Sequence, residues 1–359
     1  MTFDLILVGF GHVARRFVHL LHEQQRTLER DFGFNARIVA IATRRHGAAR
    51  SPRGVDARKL AKRVERGLPV GSEEACSTVA FLRSVLQTHA VSARKRQLVV
   101  IETTTLDIER GQPAIDHVRT GLSGRAHVVT ANKGPVAFAY SELARAARQA
   151  ERRFLFEGAV MDGIPVFNFV RETLPGVRVN SFRGVVNSTT NFILTAMEQG
   201  EPFERALEAM QKAGIAEADA SLDVDGWDAA AKTAALANVL LGGRLTPKLV
   251  KREGIVGLTV DRLAAARARG GRVKLVASAR REGRRVRASV APTELPAADL
   301  LAGLEGQQNA VILETDLLGE IAVVQRGSGL TQTAYALVSD LVTIARDVNR
   351  PRDTPRARR

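Results

Sequence analysis

The sequence predicts an α/β chain in two parts: an N-terminal doubly wound parallel sheet, then an α+β domain whose sheet is covered by helices. Three observations carry this. Short apolar runs alternate with helical periodicity over the first 150 residues, the pattern of a parallel sheet buried on both faces. The first run ends in a glycine loop that opens a helix, GFGHVA at 9–14. From residue 178 onward, strand-like runs return with helices between them.

The elements follow in order. Residues 3–8, FDLILV, form the first strand, and Val13, Phe17, Leu20 and Leu21 follow at helical spacing. Further buried strands are expected at 37–43, 97–102 and 126–130, with helices at 78–88 and 112–121. The polar, basic segment 45–75 reads as an irregular insertion with one short helix around Ala57–Arg66. An alanine-rich helix is expected over 136–151. Gly158, Gly163 and Pro165 then turn the chain sharply, and a helix resumes over 166–174. The second region has strands at 178–187, 273–279, 284–291, 309–314 and 321–326, and helices at 190–199, 202–213, 226–241 and 259–267. The last helix, 331–347, is apolar on one face and is expected to return to the first domain. The expected division is 1–150 completed by 328–347, then 151–327, then a disordered basic tail at 348–359.

Composition narrows the classes. With 359 residues and 45% hydrophobic content, the chain can bury two cores. Cys76 is the one cysteine, which rules out an internal disulfide and fits a reducing compartment. No apolar run approaches a membrane span, and the N-terminus lacks a basic leader. The expected location is cytoplasmic. The net charge of +15 raises nucleic acid as a partner. The arginines are scattered, however, and aromatics make up only 5%. That pattern reads as a solvated basic surface, without a stacking platform for bases.

The glycine loop points to a dinucleotide. Gly9 allows a tight turn, Gly11 lets the backbone approach a pyrophosphate, and Ala14 permits close helix–strand packing. His12 and Val13 open the helix whose N-terminus favours anionic charge. The second strand ends in ATRRHG, with no acidic residue for the ribose hydroxyls. Arg44 and Arg45 suit a 2′-phosphate instead, so NADP is expected over NAD. Thr103 and Thr104 end the third strand and are expected on the nicotinamide side. Gly327 either approaches the cofactor from the C-terminal segment or caps a strand.

A second cluster lies at 212–232, KAGIAEADASLDVDGWDAAAK. Asp228 and Lys232 share a face if a helix begins near Asp225. The cluster either holds a small zwitterionic ligand and handles a proton, or is a solvated loop with a surface ion pair.

Taken together these motifs resemble the homoserine dehydrogenases, in their short form without a regulatory domain. The resemblance runs from about residue 4 to 347. It rests on GFGHVA, VVTANKGP at 128–135, EGAVMDGIP at 157–165, VVNSTTNFIL at 185–194, AGIAEADASLDVDGWDAAAK at 213–232 and RGSGLTQTAYALVSDL at 326–341. It implies NAD(P)-dependent interconversion of L-homoserine and L-aspartate 4-semialdehyde by a homodimer paired through the second sheet. By position, Lys232 and Lys133 would line the reaction site. Glu217, Asp223, Asp228 and Thr189 would hold homoserine, with Ser188 beside them. A sodium ion would sit at main-chain carbonyls of Glu157, Val160, Asp162 and Ile164. Burial is expected to depress the Lys232 pKa toward working pH, with Asp228 opposing it and mainly holding the substrate ammonium or a bridging water. Lys133 is the competing candidate for the proton.

The chain also departs from the family. Ser188 stands where glycine is usual, and would be strained if that position needs a positive φ. Ile215 replaces a usual tyrosine, and Met161–Asp162 a more glycine-rich turn. Two other classes stay open: a related dehydrogenase with a different amino-alcohol or semialdehyde, and a non-catalytic dinucleotide-binding or nucleic-acid-binding protein.

Overall fold

Two six-stranded sheets organise the chain. The structure is a computed structural model and describes residues 1–71, 77–92, 96–212, 219–327 and 329–349. The first sheet is fed by β1 (Thr2–Val8), α1 (His12–Glu23), α2 (Gln25–Phe32), β2 (Asn35–Ala42), β3 (Ala48–Arg50), α3 (Ala57–Glu65), α4 (Thr78–Ser92), β4 (Arg96–Glu102), α5 (Ala114–Ser123), β5 (His127–Thr130), α6 (Lys133–Gln149) and β6 (Phe154–Leu155). Its order is β3-β2-β1-β4-β5-β6. All neighbours pair in parallel except β2 and β3. Strand order reverses at β1, so the ligand crevice of such a sheet opens beyond β1 and β4.

Alternation along β1 shows why residues 3–8 read as a hydrophobic run, interrupted by Asp4, which is buried and paired with Arg37 at 2.8 Å. Phe3, Leu5 and Leu7 enter one core, while Ile6 and Val8 enter the other. Both faces are covered, so no polar face is needed.

Residues 45–71 of the expected insertion are more ordered than their composition implies. Ala48–Arg50 form an antiparallel edge strand, with Ala40↔Arg50 and Ala42↔Ala48 in register. Three residues are too few to display a period, so only pairing to β2 creates the strand. The long helix begins at Lys133, earlier than the expected 136, because Asn132 caps it by accepting from the Gly134 N–H at 2.8 Å. Pro135 is tolerated in that first turn.

The second sheet arises from α7 (Val166–Asn168), β7 (Val179–Val185), α8 (Ser188–Glu198), α9 (Phe203–Lys212), α10 (Ser221–Val224), α11 (Trp227–Leu240), β8 (Lys251–Arg252), α12 (Val260–Ala268), β9 (Gly271–Glu282), β10 (Arg285–Pro296), β11 (Asn309–Thr315) and β12 (Gly319–Gln325). Its order is β12-β11-β7-β9-β10-β8. α11 packs on β9 and β10 on one side and on α6 on the other, which joins the two halves. The opposite sheet face is an open depression of about 690 Å³, lined by Arg183, Arg280, Arg287, Glu314 and Glu320 among others.

The last helix, α13 (Leu330–Asn349), lies against α1. Ala334, Leu337, Val338, Leu341 and Ile344 join Phe3, Leu5 and Leu7 in one core. No helix among the described residues is long and apolar enough to cross a membrane.

One buried histidine makes a contribution that weakens in acid. His127 Nδ1 accepts the Arg153 N–H at 3.0 Å, leaving Nε2 to face Gln97 at 3.3 Å. Burial, with Arg152 and Arg153 beside it, pushes the His127 pKa down to about 3. Below the ordinary value the unfolded chain takes up a proton that the folded chain refuses. The contribution of His127 to stability therefore falls as pH drops from 6.5 toward 3, by roughly 2 kcal/mol between pH 6.5 and 5. The buried carboxyls of Glu157 and Asp340, raised to about 8 and about 6, act in the opposite sense over the same range. The test is therefore a comparison: His127→Gln should gain stability relative to wild type between pH 6.5 and 5, read from urea midpoints at the two pH values.

Candidate active site

The glycine loop is built as a dinucleotide would require. Gly9 has φ +89°, and a Cβ there would lie 2.8 Å from the Thr103 carbonyl carbon and oxygen. Glycine is needed both for the backbone and for the close approach of β1 to the end of β4. Gly11 is the N-cap residue of α1, with no side-chain cap. A Cβ at Gly11 would meet nothing within 4 Å. The first amides of α1, at His12 and Val13, thus open beside free space suited to a pyrophosphate. Ala14 is fully buried, as close packing demands. Gly9→Ala is expected to weaken dinucleotide binding at least tenfold, roughly 1.4 kcal/mol or more, measured by fluorescence titration.

Beyond β2, the Thr43 hydroxyl donates to the Gly47 carbonyl at 2.9 Å and accepts the His46 N–H at 2.7 Å. This turn presents Arg44 and Arg45 exposed. Beyond β4, the Thr103 hydroxyl faces the Gly9 carbonyl at 3.3 Å. The Thr104 N–H donates to Glu102 at 3.0 Å, and its hydroxyl bonds the same carboxylate. Both threonines sit at the crevice, but their hydroxyls brace the protein. Gly327 is exposed, with open space around it.

The second cluster is not a surface ion pair. Lys133, at the first turn of α6, places Nζ 2.9 Å from Asp228 Oδ1. Lys232, one turn along α11, places Nζ 3.0 Å from Asp228 Oδ2. These side chains are only 15–20% exposed. Lys232 also donates to the Val186 carbonyl at 2.7 Å. One carboxylate therefore holds two ammoniums delivered by helices from the two halves of the chain.

Asn187 completes the cluster and was missed in the sequence. Its Nδ2 donates to Asp223 at 2.7 Å and to Asp228 at 2.9 Å, while its Oδ1 accepts the Thr190 N–H at 2.8 Å and caps α8. Its signals were its place before a helix, which marks a cap, and its place in VVNSTTNFIL, where the role at this site went unassigned. Thr189 is buried and bonds Asp223. Ser188 is the first residue of α8 and lies outside the positive-φ positions, so the feared strain is absent. Glu217 and Ile215 lie outside the described residues.

Charge states correct one expectation. Burial lowers the Lys232 pKa, but Asp228, Asp162 and Asp223 outweigh it, and the ammonium is raised above its ordinary value. For Asp228, burial pushes upward, yet Lys133, Lys232 and the bonds to Lys133 and Asn187 hold it well below the usual carboxylate range. Asp223 is raised by burial and by Asp228. Asp228 spends both oxygens on lysines and Asn187, so it is a clamp for the cations before it is a holder of substrate.

The turn after β6 joins the halves. Glu157 donates its N–H to Asp340 of α13 at 3.0 Å, and its carboxylate accepts the N–H groups of Phe167 and Asn168 at 2.9 and 2.6 Å. Burial and Asp340 raise the Glu157 pKa to about 8. Val160 is buried, and Asp162 takes a left-handed φ of 52°, where glycine is more usual. The Ile164 carbonyl accepts the Val166 N–H at 2.8 Å, which uses part of its capacity as a cation ligand. Among the described residues, no cluster of three His, Cys, Asp or Glu side chains is placed to hold a metal ion.

A doubly wound sheet with an uncapped glycine-loop helix, together with a largely withdrawn Lys–Asp–Lys cluster between the two halves, defines a dinucleotide-dependent oxidoreductase with a separate substrate domain. The family model described as homoserine dehydrogenase matches residues 165–342, and that of the homoserine dehydrogenase NAD binding domain matches 9–157. The chain belongs to the homoserine dehydrogenase family. It is 35% identical to an NAD(+)-dependent homoserine dehydrogenase of Pseudomonas canavaninivorans, with 98% of each chain covered. It is likewise 35% identical to a homoserine dehydrogenase of Methanocaldococcus jannaschii, covering 95% of this chain and 98% of that one. Among solved structures, a putative homoserine dehydrogenase from Archaeoglobus fulgidus superimposes with a TM-score of 0.82 at 29% identity, over 96% of this chain and 99% of that one.

Proposed function

We propose that the chain interconverts L-homoserine and L-aspartate 4-semialdehyde at the Lys133–Asp228–Lys232 cluster. The carrying observation is that cluster itself, with both lysines within 3.0 Å of one carboxylate. The nicotinamide, when bound, accepts or returns the hydride at the substrate carbon. Lys232, held charged by three carboxylates, donates the proton to the aldehyde oxygen in reduction and recovers it in oxidation. Asp228 orients both ammoniums. Asp223 and Glu217 take the substrate ammonium, and the first turn of α8 at Ser188–Thr189 takes its carboxylate.

Residues 1–150 with the final helix form the dinucleotide half, and 151–327 the substrate half. The open face of the second sheet supports pairing with another copy, since Arg183, Arg280 and Arg287 share it with Glu314 and Glu320. A sodium ion at the 157–164 turn is the reading that the family implies. Support from this chain is limited to the crowded turn and the left-handed Asp162.

The dinucleotide half and the Pseudomonas relative support NAD. Arg44 and Arg45, both exposed beyond β2, support NADP as the preferred form. Steady-state rates with homoserine and each cofactor test all of this. The expected result is turnover with both and a lower KM for NADP. Replacing Arg44 and Arg45 by alanine should raise the NADP KM about tenfold and leave that for NAD unchanged. Absence of homoserine turnover would sink the reading, and a gel shift with DNA at physiological salt would then test the nucleic-acid alternative.

A further inference from the structure

Ser188 is this chain's departure from the glycine of the family motif, and the structure gives its hydroxyl a partner. Asn309 Nδ2 donates to Ser188 Oγ at 2.7 Å. Asn309 opens β11 and is 3% exposed; Gln325 ends β12 and is 2% exposed. The two are direct partners in the β11–β12 ladder, so their side chains share one face. Gln325 Nε2 in turn faces Asp162 Oδ2 at 3.4 Å, and Asp162 Oδ1 accepts from the Thr333 hydroxyl of α13 at 3.2 Å. A run of polar side chains thus ties the first turn of α8 to the end of the β11–β12 hairpin, to the turn between the halves, and to the last helix.

This run is costly where it lies. The amide oxygens of both Asn309 and Gln325 are buried and have no hydrogen-bond partner among the described residues. A buried acceptor without a donor is penalised, and an apolar pair at a strand end would avoid that penalty. The amino groups are what the fold uses: one holds Ser188, the other faces Asp162. Ser188 directly precedes Thr189, which bonds Asp223, and follows Asn187, which bridges Asp223 and Asp228. Whatever fixes Ser188 fixes the turn that carries both neighbours.

We propose that Asn309, backed by Gln325, is a positioning residue that sets affinity for the amino-acid substrate by holding Ser188 and the first turn of α8. It acts through Ser188. This inference rests on the reading that the first turn of α8 receives the substrate carboxylate.

The test is a double-mutant cycle read in KM and kcat. Asn309→Ala should raise the KM for homoserine about tenfold, with kcat within about threefold and the cofactor KM unchanged. Ser188→Gly removes the same bond from the helix side and should raise the homoserine KM comparably. The double variant should be no worse than either single one. Asn309→Asp, which loses the amide donor and puts a buried negative charge beside the turn that receives the substrate carboxylate, should bind homoserine no better than Asn309→Ala. An unchanged homoserine KM in folded Asn309→Ala, or additive effects in the double variant, overturns the proposal. So does a parallel loss of kcat and cofactor affinity, which marks a merely structural role. If circular dichroism shows that Asn309→Ala does not fold, Ser188→Gly decides alone, and an unchanged KM there overturns the proposal as well. Wild-type enzyme that fails to turn over homoserine would instead defeat the underlying functional reading, before any variant is compared.

Discussion

Lys232→Met is expected to lower kcat about a thousandfold in both directions, within the range for removing a positioned proton donor. Methionine keeps the length of the side chain and its packing, so α11 should fold normally. The geometry explains the choice of lysine. Lys232 is tied to Asp228 at 3.0 Å and to the Val186 carbonyl at 2.7 Å, so its ammonium is fixed rather than free to swing. Lys133 has one ion pair among the described residues, at 2.9 Å, and stands on the dinucleotide side. Lys133→Met should raise the homoserine KM more than it lowers kcat. Steady-state and single-turnover rates for both variants separate the two. If kcat for Lys232→Met stays within a few-fold of wild type while Lys133→Met collapses, the roles are reversed.

Asp228→Asn should disturb both lysines of the cluster at once. It removes the single negative charge between two ammoniums that are largely withdrawn from water. Breaking one partner out of such a cluster costs roughly 3 kcal/mol of stability. It should also cost about a hundredfold in kcat, the scale of losing one preorganised electrostatic partner. The pH profile carries the distinguishing signature. Asp228 is the largest influence raising the Lys232 pKa against burial. Without it, Lys232 gives up its proton at lower pH. Aldehyde reduction, which needs the charged amine, should then lose its alkaline limb at lower pH than wild type. A profile displaced the other way, or not at all, rules out Lys232 as the titrating acid.

Much of the architecture was legible because local chemistry dictated it. The run FDLILV, with apolar residues on both faces and Asp4 as its one charged member, reads as a strand covered on two sides. The glycine loop declared itself because Gly9 needs a positive φ and tolerates no Cβ beside Thr103. The spacing of Asp228 and Lys232 correctly placed them on one helical face. The edge strand at 48–50 was illegible, since three residues carry no period and gain their form from β2 alone. Asn187 looked like an ordinary cap, and its second task depends on α8 meeting α10 and α11.

The sequence by itself determined the order of the longer strands and helices, the glycine loop and the pairing of Asp228 with Lys232. Each follows from φ/ψ limits, side-chain period and burial of apolar surface, which act within a turn or two of chain. Tertiary structure alone decided that Lys133 shares the same carboxylate, that Lys232 is raised and not depressed, and that Ser188 is held by Asn309. These outcomes turn on the balance between desolvation and charges brought from distant segments, and no local pattern carries that sum.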